Sequence, residues 1–223
     1  MDERKSFRRF QLKMMGWIAI FIGPVTALAV GVRPGYGFPS SISETATILD
    51  QTVSLLPYAL GALSLFALSY AVIYRYDTLD RVCTLLMCVG FAFVAFQPCA
   101  SAHLVSDRVG VFAVSRNASG VIHNIGAVIG FGAMILWVLR FTKSDKEKSK
   151  QTKEKHLRNK WYFGLSILMS LALVLFIFHA SGAFVVGFPI VFWMEFFILV
   201  PCGVSCLIKG GLIFTDKAEK KND

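Results

Sequence analysis

Apolar residues run along the chain in six long stretches separated by short polar or charged segments. Within each stretch Leu, Phe, Ile, Val, Ala and Gly follow one another without strict alternation. A helix of roughly 20 mostly apolar residues crosses about 30 Å of hydrocarbon. Barrel strands are about ten residues long and alternate. The pattern therefore predicts helices, each satisfying its backbone hydrogen bonds internally. The predicted spans are 14–32, 52–74, 82–98, 119–141, 161–180 and 189–214. The expected fold class is all-α: a polytopic membrane protein built as a six-transmembrane-helix bundle. Residues 1–214 form one membrane domain, followed by a polar tail over 215–223.

Composition agrees. Hydrophobic residues make up 55% of the chain and charged residues 17%, where a soluble domain carries about a quarter charged. The distribution of charge adds orientation. Of the 23 Lys and Arg, only Arg33, Arg108 and Arg116 fall in segments on one side of the spans. The remainder cluster before the first span, between the second and third, between the fourth and fifth, and at the C-terminal end. The positive-inside rule then places both termini in the cytoplasm of a multi-pass protein of the cell membrane. A net charge of +9 does not imply nucleic acid here. Cytoplasmic loops are basic because charge fixes topology and attracts anionic lipid, and the run Lys143–Lys160 has no interleaved aromatics. Membrane lipids are the expected partners, and a homo-oligomer or a membrane-protein partner is compatible with the same pattern. The first span has a basic leader and an Ala27-Leu28-Ala29 that resembles a cleavage site, but its long apolar run reads as an uncleaved helix. Five cysteines, four of them inside spans, give no disulfide framework. Cys202 and Cys206 share a helix face as packing residues or, less simply, as two metal ligands.

Polar residues inside apolar stretches are the candidates for chemistry. Glu195 lies six residues beyond Pro189, roughly 9 Å inside the outward helix end. A carboxylate there faces the bundle and either pins helix packing or contacts a ligand. His123 lies one turn inside the fourth span and shares a face with Ser119, Gly126, Ala127 and Gly130. The Gly126-xxx-Gly130 spacing marks close helix packing, so His123 points inward, as a packed histidine or as a functional one. His103, His123 and His179 all fall on the outward half with Glu44, Asp50 and Asp107. They are the ligands a zinc site would use, but they come from separate segments with no metal-site spacing; the expectation is no cofactor, with zinc as the alternative. Lys209 ends the sixth span and reads as a snorkelling cation. Pro57 and Pro201 are expected to bend their helices.

Three segments together resemble a family of uncharacterised bacterial six-span membrane proteins: Pro39-Ser-Ser-Ile-Ser-Glu44, Ile122-His-Asn-Ile-Gly-Ala127, and Val191-Phe-Trp-Met-Glu195 continuing to Gly203-Val-Ser-Cys-Leu-Ile-Lys-Gly210. His156-Leu-Arg-Asn-Lys-Trp-Tyr162 fits as well. The chain is more distantly similar to the DRAM and GPI-lipid-remodelling group. The resemblance supplies no activity, but Ser41, Ser43, His123, Glu195 and Lys209 match its motifs. The chain departs from that pattern at Glu44-Thr-Ala-Thr and at Phe96-Gln-Pro-Cys99, both on the outward face.

Three functions compete. One is an outward pocket that binds a lipid or other amphiphile through Glu44, His123, Asn124 and Glu195, as sensor, scaffold or partner subunit. Another is an outward lipid hydrolase or acyl-transfer enzyme, with His123 as base, Ser41 or Ser43 as nucleophile and Glu195 as orienter or acid, with or without metal. The third is a small transporter or oligomeric channel with Glu195 as the ion or proton site. The enzyme reading requires His123 and Glu195 to converge near a serine.

Overall fold

The computed structural model describes residues 3–49, 54–73, 77–143, 152–183 and 188–214. Among them run α1 (Glu3–Gly31), the single turn α2 (Thr45–Ile48), α3 (Leu55–Ile73), α4 (Thr78–Phe96), α5 (Arg116–Arg140), α6 (Lys153–Ala180) and α7 (Ile190–Lys209). All but α2 are long and apolar enough to cross a membrane. The fold is all-α, and its six long helices fit a multi-pass integral membrane protein. A short ribbon between α4 and α5 was not foreseen: β1 (Arg108–Val109) runs antiparallel to β2 (Val114–Ser115). Strands this short carry no readable alternation.

Several helices begin before their apolar spans do. α1 starts at Glu3 and not at 14, because Arg, Lys, Gln and Leu sustain a helix beyond the apolar part. α4 starts at Thr78, not 82, where the Asp77 side chain accepts from Leu79 N at 3.0 Å. α6 starts at Lys153, not 161, where Thr152 Oγ1 accepts from Lys155 N at 3.1 Å. Side-chain caps, not hydropathy, set the starts of α4 and α6. Pro57 is the third residue of α3, where a missing N–H leaves no helical bond unmade, so the expected bend there has no cause. Pro201 does lie inside α7, as Pro24 does inside α1.

α3 and α4 form the expected hairpin, α4 packs on α5, and α7 is held among α1, α5 and α6. Close approach is built on glycine. A Cβ on Gly90 of α4 would lie 2.6 Å from Gly130 Cα and 2.7 Å from Gly126 O, so the Gly126–Gly130 stripe meets a third glycine. A Cβ on Gly203 of α7 would lie 2.6 Å from Gly16 O of α1. Cys202 and Cys206 are buried in the core as free thiols. Apolar side chains such as Leu28, Leu65, Phe163 and Leu171 stay exposed around the bundle, as a lipid-facing surface requires.

The two ends of the bundle differ. At one, the start of α1 meets the end of α7: a Cβ on Gly210 would lie 3.3 Å from Arg9 O. There Arg140 pairs with Asp77 and Asp80, and Lys143 with Asp77. The Lys143 ammonium, Leu79 N–H and Arg140 guanidinium hold the Asp77 carboxyl down at about 2. This is the basic end. The opposite, serine end gathers the segment after α1, the α4–α5 connection and the start of α7. Asp50, Arg75, residues 144–151 of the linker, residues 184–187 and the tail 215–223 lie outside the described residues.

Candidate functional site

The segment Ser40–Glu44 folds on itself through its own polar side chains. Ser40 donates to Glu44 Oε2 from its backbone N (2.9 Å) and its hydroxyl (2.6 Å). Ser41 Oγ accepts from Glu44 N at 2.9 Å. Side chains of this kind substitute for backbone partners where a turn begins. The turn is then stitched to α7. Phe192 N donates to Ser40 O at 3.0 Å, satisfying a donor in the first turn of that helix. Glu195 closes the joint: its Oε1 accepts from Ser43 Oγ at 2.7 Å and its Oε2 accepts from Ile42 N. Glu195 is 4% exposed, and three donors, counting a longer bond from Ser43 N at 3.4 Å, surround its carboxyl group.

His123 is fixed by a different element. α4 ends at Gln97, whose carbonyl lies 2.7 Å from His123 Nδ1. A carbonyl only accepts, so the bond puts a hydrogen on Nδ1; in the neutral form of the ring, Nε2 then carries the lone pair. Ser119, one turn earlier on α5, donates to Pro98 O at 2.8 Å and to Gln97 Oε1 at 3.2 Å. Gln97 is fully buried; it is a positioning residue that periodicity does not single out. Its only sequence signal is an amide before a proline at the end of an apolar span.

These elements enclose a cavity of about 210 Å³ at the serine end. Ser40, Ser41, Ser43, Glu44, Asn124, His123, His179 and Glu195 supply its polar lining; Phe176, Ala180, Val191, Ala100 and Cys99 supply the rest. Of the residues singled out in the sequence, Ser41, Ser43, Glu44, His123, Asn124, His179 and Glu195 therefore meet in one place. His103 does not line it. Its ring tilts over Tyr36 with centroids 5.7 Å apart, and its Nε2 is 3.9 Å from Glu44 Oε1. Among the described residues no group of three His, Cys, Asp or Glu side chains is arranged to hold a metal ion. Cys99, Ser40 and Phe176 were not foreseen as lining, because the segments carrying them become neighbours only in the bundle.

The groups differ in what they can do. Burial first, then the carboxyl groups of Glu195 and Glu44, push the Cys99 thiol up to about 12, so it is no thiolate nucleophile at neutral pH. Ser43 gives its hydroxyl hydrogen to Glu195. No hydrogen bond or ion pair joins His123 to Glu195 or to a serine among the described residues. His123, Asn124, His179 and Glu44 are the polar lining groups that a guest in the cavity would meet. The chain matches no family model, no curated protein and no solved structure.

Proposed function

We propose that the serine-end cavity receives the polar head of a lipid or other amphiphile from the outer leaflet of the cell membrane, and that the protein works as a non-catalytic binding module. The observation that carries this reading is the mixed lining of one cavity, in which Glu44, Asn124, His123 and His179 supply polar groups and Phe176 and Val191 apolar ones. A polar head joined to an apolar chain needs both, at the level where helices end and headgroups lie. Clustering of Lys and Arg at the opposite end supports the outward assignment and cytoplasmic termini. Glu195 acts by holding the Ser40–Glu44 turn on α7, so it shapes the cavity more than it touches a guest. The test is native mass spectrometry of the full chain released from membrane lipid. Wild type retains a lipid; Asn124→Leu and Glu44→Gln reduce its retention about tenfold. Equal retention by all three overturns the reading.

One observation favours a second reading, an outward lipid hydrolase or acyl-transfer enzyme. The Gln97 carbonyl accepts from His123 Nδ1, so in the neutral ring Nε2 is the basic nitrogen, at a cavity that Ser41 and Ser43 also line. Against it, Ser43 directs its hydrogen to Glu195 and not to His123. Fluorophosphonate labelling of Ser41 or Ser43 in wild type, lost in His123→Ala, would establish the enzyme. The transport reading fits less well. Glu195 meets N–H and O–H donors, where a bound cation takes oxygen ligands.

A further inference from the structure

The lining of the serine-end cavity is one-sided in charge. Glu44 and Glu195 bring carboxyl groups to it, and no Lys or Arg is among its described lining residues. The arginines of this end stand elsewhere. Arg116 donates to Val105 O at 2.8 Å and to Ser106 O at 2.9 Å, and it pairs with Asp107 at 3.6 Å. Arg33 and Arg108 do not line the cavity either. An anionic group placed here would meet two carboxyl groups with no Lys or Arg beside it, and in a poorly hydrated site that mismatch is costly.

The two carboxyl groups differ in what they can still do. Glu195 holds the Ser40–Glu44 turn on α7. Glu44 takes both bonds of Ser40 on Oε2. Its Oε1 is met at longer range, by Ser101 Oγ at 3.4 Å and His103 Nε2 at 3.9 Å. A carboxylate offers about four acceptor positions, so Glu44 can take a further donor from the cavity.

Asn124 is a second, independent pointer. It lies eight residues beyond Arg116, where α5 begins, about 12 Å along the helix. Its amide makes no hydrogen bond among the described residues. An amide at that depth in an apolar helix costs free energy until a partner meets it. Asn124 of α5 and Ala180 of α6 both line the cavity and are both exposed, which fits a mouth between these two helices. The volume of about 210 Å³ is below the roughly 300–1,000 Å³ of pockets that enclose a drug-sized molecule. It suits a compact head, with the chain left outside.

On the reading that this cavity takes the head of an amphiphile, we propose that the head is a primary ammonium, as on phosphatidylethanolamine. The ammonium donates to Glu44, and the Asn124 amide accepts from it or donates to the adjoining oxygens. A choline head is the wrong cation. It has no N–H to give and is held by a cage of aromatic faces, whereas Phe176 is the one Phe, Tyr or Trp in the described lining.

The test uses the full chain in neutral detergent with phosphatidylethanolamine, phosphatidylglycerol or phosphatidylcholine of matched acyl chains, or with free ethanolamine. Native mass spectrometry counts retained lipid, and thermal unfolding reads stabilisation. Wild type should retain phosphatidylethanolamine about tenfold better than either other lipid, the scale of one charge-assisted contact. Glu44→Gln should lose most of that preference. Asn124→Lys breaks no hydrogen bond among the described residues and should turn the preference toward phosphatidylglycerol. Asp107→Asn removes an acid of the same end that does not line the cavity, and should leave the preference unchanged. Equal retention of phosphatidylethanolamine and phosphatidylglycerol by wild type overturns the ammonium head and leaves an amphiphile site standing. Loss of the preference in Asp107→Asn overturns it too, because a diffuse acidic surface would then be the cause. Saturable stabilisation by ethanolamine without retained lipid keeps the ammonium site and removes the lipid. No retained lipid and no response to ethanolamine overturn both.

Discussion

The two ends of the bundle handle charge in opposite ways. At the serine end, the carboxyl groups of Glu44 and Glu195 are satisfied by serine hydroxyls and backbone N–H groups. No lysine or arginine forms an ion pair with either among the described residues. At the basic end, carboxylates form a compact cluster with Arg140 and Lys143, and a separate set of cations converges on a cavity with no acid in its described lining. A buried carboxyl group held by neutral donors serves to lock a turn in place. Net charge hides both facts, because it registers neither convergence nor partners.

The comparison can be broken at Glu195 first. Glu195→Ala strands the Ser43 hydroxyl and the Ile42 N–H in a buried joint, and loss of the acceptor they share costs about 3 kcal/mol. Reversible unfolding in mixed micelles should show that loss, with Glu195→Gln losing about 1 kcal/mol because an acceptor remains. Equal stability of Glu195→Ala and wild type would mean the joint is not a lock. Next in size, Gly90→Val forces side-chain atoms into the Gly126–Gly130 backbone and should cost about 2 kcal/mol in the same assay. A neutral result would contradict the close α4–α5 crossing.

A smaller effect sharpens the basic end. The Asp77 carboxyl is held at about 2, below its ordinary 3.8. A depressed folded-state value means a stabilising contribution present above about pH 4 and lost as pH falls toward 2. Acid unfolding of Asp77→Asn should lack that part of the transition. An identical acid limb in wild type and variant would remove Asp77 from the cluster. Smallest of all is Cys99. With its thiol pushed up to about 12, it should resist alkylation at pH 7.5 in the folded chain and react after unfolding. Rapid labelling of the native protein would contradict the raised thiol.

Much of this was legible in the sequence, for identifiable reasons. Six apolar runs fixed the helices because the bilayer leaves the backbone few alternatives. Glu195 and His123 stood out because polar groups in apolar helices need a partner. The partners did not stand out. Ser43 and Glu195 are far apart in the chain and meet only because α7 returns to the segment that follows α1. Gln97 positions His123 through its backbone carbonyl, which any residue type possesses, so no side-chain signal marks it. Asp77 and Thr152 moved helix starts outward by capping, which hydropathy does not register. Lys209 read as a snorkelling cation, and its neighbours at the cavity come from α1 and α6, beyond the reach of any pattern within α7.

The central claim is that the serine-end cavity holds the head of an amphiphile. An experimental density map of the full chain crystallised from a lipidic mesophase tests it most directly. The account predicts continuous density with a polar end among Glu44, Asn124 and His179 and an apolar tail leaving past Phe176 and Val191. A cavity containing only separate water-sized features would contradict it.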